Sequence, residues 1–261
     1  QTKEFQKLLV YSHAAGIGKP MDIEIVRGAM CGRINVHSKG YSGGRKEITE
    51  YLIEALNQNL TPVVCEKGSV GACGDLSPMS QIALSLMGEG EMIVKGSIID
   101  SKEALNSVGL NPLELEARDG LALINGSNVL TALAAITLYD AKNWMKLHDI
   151  AAAMTLEALM ANMKPYDKRI HELRGFSGSQ IIARNLNTLT EDSEILYNGG
   201  KKVQDAYSMR STPQVAGTLR DSIDYAVNQV EIELNGVGDN PIFCLLYTSP
   251  SPRDLSTSRM P

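Results

Sequence analysis

The sequence predicts a mainly α-helical protein, a bundle of long helices with a small loop and β-hairpin region set into it. Three observations carry that prediction. Residues 121–163 are rich in Ala, Leu and Met, strong helix formers, and Pro165 closes the stretch. Apolar positions step by three and four at Ile48, Tyr51, Leu52, Ala55, Leu56 and Leu60, and again at Val215, Leu219, Ile223, Val227, Val230 and Leu234. The β signal is short, a single hairpin pattern over residues 91–100 that turns at Lys95-Gly96.

In chain order, Phe5, Leu8, Leu9 and Val10 place a helix over 5–15, ended by the breaker Gly16-Ile17-Gly18-Lys19-Pro20. Asp22 offers an N-cap for a second helix over 22–36. Residues 38–44 form a glycine-rich turn, and the helix from Arg45 stops at Pro62. A further helix spans 78–87; Pro78 is tolerated in a first turn, where its missing N–H would have no partner anyway. Asp100, with Glu103 three residues on, opens a helix that Gly109 stops. Residues 121–163 read as two long helices meeting near Asp140, and a last long helix covers 214–234.

The 261 residues are 43% hydrophobic and 21% charged, ordinary for a globular protein with a sizeable core. With 25 basic and 30 acidic residues and no basic patch, nucleic acid is not an expected partner. Charged residues break every apolar run before it could span a membrane, and no signal peptide is read at the start. Cysteines at 31, 65, 73 and 244 lack the CxxC spacing of zinc sites or a disulfide framework, so no metal is expected and a reducing cytoplasm is the simplest compartment. Residues 244–261 are dense in Ser, Thr, Pro and Arg without apolar period. They resemble translated sequencing-adapter read-through and are expected to be a non-native tail behind one domain over 1–243.

The stretch Gly68-Ser69-Val70-Gly71-Ala72-Cys73-Gly74-Asp75-Leu76-Ser77-Pro78 concentrates the chemistry. It is neither phosphate motif: Asp75 stands where GxxxxGK[ST] needs lysine, and the glycine spacing is GxxGxxG rather than GxGxxG. A tight turn with a structural cysteine is the bland alternative. The residues also suit a backbone that reacts with itself. The Gly74 nitrogen, unshielded by a side chain, can attack the Ala72 carbonyl, and loss of water gives an imidazolone ring. Elimination of the Cys73 heteroatom then leaves an exocyclic methylidene, a strong electrophile.

This stretch resembles the cofactor-forming signature of the aromatic amino acid ammonia-lyase family, whose methylidene-imidazolone arises from Ala-Ser-Gly. Here Cys73 takes the serine's place, and loss of sulfide instead of water leaves the same ring. Other segments of residues 4–243 carry the same resemblance. Ser12-His13-Ala14-Ala15-Gly16 is similar to a segment of the histidine-acting members, in which the histidine meets the substrate side chain. An imidazole can exchange a hydrogen bond with another imidazole but not with a phenyl ring. Leu123-Ile124-Asn125-Gly126-Ser127 resembles an element whose Asn lies beside the cofactor. Gln204-Asp205-Ala206-Tyr207-Ser208-Met209-Arg210 resembles a motif in which Arg210 would clamp the substrate carboxylate, a task for a planar bidentate donor, with Tyr207 and Gln204 lining the pocket. Gly238-Asp239-Asn240-Pro241 resembles an element that brings Asn240 near the cofactor. His37, His148 and His171 read as structural or surface residues, and Gln81 stands where histidine-acting relatives often have His.

The resemblance implies an ammonia-lyase/fumarase-like fold, here truncated, and elimination of ammonia from L-histidine to give urocanate. It assigns Ala72, Cys73, Gly74, Asp75 and Tyr207 to catalysis. His13, Asn125, Gln204, Arg210 and Asn240 fall to substrate binding. The family's general base, a tyrosine on a Tyr-Gly-x-x-Thr-Gly-Phe-Gly loop, has no counterpart here, nor do the downstream helices that carry an active-site glutamate. An internal fragment, inactive alone, is therefore expected. Family members are homotetramers with shared active sites, so Tyr207 and Arg210 would serve a different subunit from the loop. The alternatives are a tyrosine or phenylalanine ammonia-lyase or an aminomutase of the same family, and a non-catalytic helical assembly protein.

Overall fold

A computed structural model describes residues 2–197 and 203–243; the expected tail, 244–261, lies outside them. The chain divides into two units, residues 1–135 with 230–261, and residues 136–229.

The first unit opens with helix α1 (Thr2–His13), strand β1 (Ile17–Pro20), helix α2 (Ile23–Ser38) and helix α3 (Lys46–Asn57). Strands β2 (Thr61–Pro62) and β3 (Cys65–Lys67) lead through the glycine-rich loop to helix α4 (Leu76–Leu86). Strands β4 (Glu91–Val94) and β5 (Ser97–Asp100), helix α5 (Ser101–Ser107) and helix α6 (Asp119–Ile124) follow. The apolar faces of these helices converge on Val10, Met30, Ile48, Leu52, Ile82 and Leu123, all buried. β4 and β5 form the expected antiparallel hairpin, with Lys95 and Gly96 both at positive φ as a two-residue turn requires, and β2 pairs on the other edge of β4. Asp100 caps α5, its Oδ1 accepting the amide N–H of Lys102 at 2.9 Å and of Glu103 at 3.2 Å. The expected breaker over 16–20 is instead β1, paired antiparallel with β3, because extended backbone there finds a partner strand far along the chain. α4 begins at Leu76, ahead of Pro78, so the proline occupies its first turn.

Helices α7 (Asn128–Ala158) and α12 (Thr212–Asn235) contain residues of both units. The rest of the second unit comprises a 3₁₀ turn (Lys164–Tyr166), then helices α8 (Lys168–Arg174), α9 (Ser177–Leu189), α10 (Glu194–Tyr197) and α11 (Tyr207–Arg210). Its core gathers Met145, Leu156, Tyr166, Ile182, Leu186 and Ile223. The expected break near Asp140 does not exist. α7 holds neither Gly nor Pro, and an exposed Asp in mid-helix costs only about half a kcal/mol, too little to interrupt 31 residues. The apolar row on α12 also differs from expectation, since Ile223 is buried while Val215 and Leu219 face outward.

Candidate active site

The loop between β3 and α4 turns on left-handed backbone. Gly71, Cys73 and Gly74 have φ of 71°, 60° and 85°, and Cys73 is the non-glycine among them, a conformation that costs an L residue about 1–2 kcal/mol. Ala72 and Cys73 are exposed at its tip. Gly74 sits so close to Gly126 that a Cβ there would lie 2.4 Å from the Gly126 oxygen, so no side chain fits. The same carbonyl accepts the Asp75 amide N–H at 2.9 Å. Asp75 occupies the N-cap position of α4 but makes no cap bond to it. Its buried carboxylate accepts Ser69 Oγ–H on one oxygen and the Leu130 amide N–H on the other, both at 2.8 Å. One acid thereby ties the loop's start to the first turn of α7, where unpaired N–H groups favour negative charge.

Asn125 ends α6, and its Nδ2 donates to the Asn240 carbonyl at 3.0 Å, next to a cis Asn240-Pro241 bond. Behind this pair stands Arg33 of α2, which has no solvent exposure. Its Nη1 donates to the Asn125 carbonyl at 2.5 Å and to Asn128 Oδ1 at 3.3 Å, while Nη2 pairs with Asp239. Its Nε donates to His37 Nε2 at 2.9 Å. The same His37 Nε2 lies 2.8 Å from the Ala122 carbonyl, and Nδ1 lies 3.0 Å from Thr49 Oγ1, so the ring is held at both nitrogens. Burial, with Arg33 adding to it, pushes the His37 imidazole down to about 4. His37 is thus the structural histidine the sequence suggested.

His13 closes α1, its Nδ1 lying 2.9 Å from the Leu9 carbonyl. Ser12 Oγ lies 3.0 Å from the same nitrogen, and a proton on Nδ1, donated to the carbonyl, leaves Nε2 as the acceptor. The segment after His13 is fastened by Gln81, whose Oε1 accepts the Cys65 amide N–H at 2.9 Å while Nε2 donates to the Gly16 carbonyl at 3.2 Å. Both ends of the Gln81 amide are therefore engaged by backbone.

In the second unit Asp205 accepts the Asn162 amide N–H at 2.6 Å, and Tyr166 Oη donates to the Met209 carbonyl. These contacts fix residues 203–211. Arg210 donates from Nη1 to Gln204 Oε1 at 2.5 Å and lays its guanidinium carbon 3.8 Å above the Tyr207 ring, a cation–π stack. Tyr207 also borders a cavity of about 580 Å³ lined by Trp144, His148, Val215 and Leu219. Among the described residues no group of His, Cys, Asp or Glu could hold a metal ion. Residues 72–75, Asn125 and Asn240 gather around one turn of the first unit, and Gln204, Tyr207 and Arg210 gather in the second. Arg33 and Ser69 escaped the sequence reading as site residues; the available signal was that Arg33 shares the buried face of α2 with Val26, Ala29, Met30 and Val36, where a charge must be paired.

The model of the aromatic amino acid lyase family matches residues 1–256. The chain belongs to that family. Histidine ammonia-lyase of Alkaliphilus oremlandii is 47% identical over 243 residues, 93% of this chain and 48% of that protein. The crystal structure of histidine ammonia-lyase from Trypanosoma cruzi matches with a TM-score of 0.84 at 35% identity, covering 94% of this chain and 46% of that one. The Pantoea agglomerans phenylalanine aminomutase matches with a TM-score of 0.91 at 27% identity, covering 96% of this chain and 52% of that one. The chain thus spans about half the length of the curated relatives it matches. As a member of the family it has the expected mainly helical fold, and no helix among the described residues is long and apolar enough to cross a membrane.

Proposed function

We propose that this chain forms the loop-bearing part of a histidine ammonia-lyase, converting L-histidine to urocanate and ammonia, with a methylidene-imidazolone made from Ala72-Cys73-Gly74. The observation that carries the reading is the loop's backbone. Left-handed Cys73 and Gly74 in succession, with no room for a Cβ at Gly74, suit a ring closed through the Gly74 nitrogen. That nitrogen has no hydrogen-bond acceptor among the described residues, which leaves it available. The sulfur of the exposed Cys73 can leave to solvent as hydrogen sulfide, its Cβ staying as the methylidene carbon.

Once formed, such a group supplies an electrophile that makes the substrate's amine a better leaving group. The chain's own residues bind and orient. Arg210, stacked on Tyr207 and steered by Gln204, offers paired N–H donors to the substrate carboxylate. His13 Nε2 accepts the N–H of the substrate imidazole, a contact that a phenyl ring could not return. Asn125 and Asn240 line the ring's side of the site, and Asp75 holds the loop in register. The general base for the β-proton belongs to a part of the enzyme outside this chain, so the chain alone is expected to give no turnover. The proposed working form is a cytoplasmic homotetramer in which Tyr207 and Arg210 face the loop of another subunit.

The test is made on the full-length enzyme carrying this segment. Intact mass should fall by one water and one hydrogen sulfide, borohydride should trap the group, and histidine should yield urocanate. Cys73→Ser should lose two waters instead and keep the trapping and the turnover, while Cys73→Ala should show none of the three. A free thiol at Cys73 in the native enzyme ends the proposal in favour of a non-catalytic assembly protein. A second reading, an aminomutase or a tyrosine or phenylalanine lyase, draws on the higher TM-score of the Pantoea aminomutase. Conversion of those amino acids in preference to histidine would establish it, and His13→Leu should move a histidine enzyme toward phenylalanine.

A further inference from the structure

We infer that Arg33, remote in sequence from every motif of the site, is the positioning residue that holds the Asn125-Gly126 turn behind the reactive loop. The inference rests on the proposed function for its kinetic part only. Three contacts place Arg33 there. Its Nη1 grips the Asn125 carbonyl at 2.5 Å and lies so near Gly126 that a Cβ on that glycine would come within 2.9 Å of it. Its Nη2 pairs with Asp239, the residue before Asn240, whose carbonyl in turn receives the Asn125 amide. Its Nε rests on neutral His37.

The next link reaches the loop. The peptide that follows the gripped Asn125 carbonyl is that of Gly126, whose own oxygen accepts the Asp75 N–H at 2.9 Å and sits against Gly74. One guanidinium therefore fixes two asparagines and the carbonyl that backs residues 74 and 75. A packing role alone would not require this. Burying a guanidinium carries a desolvation penalty that an apolar side chain of similar volume avoids. The fork answers four acceptors, the Asn125 carbonyl, Asn128 Oδ1, Asp239 and His37 Nε2, which the three donors of a lysine ammonium cannot do.

Arg33→Lys in the full-length enzyme tests the assignment, because lysine keeps the charge opposite Asp239 and loses the fork. The thermal midpoint should stay within a few degrees of wild type. Hydrogen exchange at the Asp75 amide should quicken by about tenfold or more, with amides elsewhere in α4 unaffected. The kcat for histidine should fall by about tenfold or more while KM changes little. Arg33→Met combined with Asp239→Leu, which removes both charges, should give the same pattern if the lysine variant does not fold. Wild-type exchange at Asp75 in either folded variant overturns the assignment, as does wild-type kcat in an active enzyme. If neither variant folds, the role is structural and the inference fails. Should the wild-type enzyme make no urocanate, the functional proposal falls while exchange at Asp75 still decides the role of Arg33.

Discussion

His37 carries a titration that stability can read. Its imidazole titrates near 4 in the fold and at about 6.5 when unfolded, so between those values the unfolded chain binds the proton that the folded chain refuses. Stability should therefore rise with pH through that window and lose this contribution as pH falls, by about 3 kcal/mol over the whole range. Urea midpoints at about pH 5 and about pH 7 check it: His37→Gln should flatten the difference, and an unchanged slope would rule the imidazole out as its source. Asp75 shows the complementary lesson, that a residue at a helix-start position need not serve its own helix. Its oxygens are taken by Ser69 and Leu130, a choice set by three-dimensional neighbours.

At the scale of elements, local chemistry decided where partners were few. The β4–β5 hairpin turns at Lys95-Gly96 and α5 starts on the Asp100 carboxylate, both as the residues imply. α7 shows where a local cue misleads. Asp140 looked like a junction, yet with no Gly or Pro nearby the helix passes straight through it. Asp140→Ala should then stabilise the protein by about 0.5 kcal/mol, seen as a small rise in thermal midpoint. A loss of stability would mean that the carboxylate is needed there. β1 was illegible for the opposite reason, since its extended form depends on pairing with β3, some 45 residues on.

For the whole molecule the relevant surface is the outer face of α7. Tyr139, Leu147, Ile150 and Met154 recur at helical spacing and stand exposed, as do Leu219 and Tyr225 on α12. An apolar row of this kind on a charged, otherwise ordinary surface marks an interaction site, and the proposed homotetramer supplies the partner. In sedimentation, Leu147→Asp with Ile150→Asp should convert the proposed tetramer of the full-length protein to smaller species and abolish the proposed turnover. A variant that stays tetrameric would place the subunit contacts elsewhere.

The residues alone determined the mainly helical class, the hairpin, and the family, because propensity, turn chemistry and a motif such as that around Ala72, Cys73 and Gly74 are all properties of neighbours in the chain. Tertiary structure decided what stands behind that loop. The Arg33 contacts to Asn125 and Asp239 close separations of 92 and 206 residues, and nothing local to any one of the three announces the others. A buried guanidinium says that partners must exist; only the folded chain says which they are.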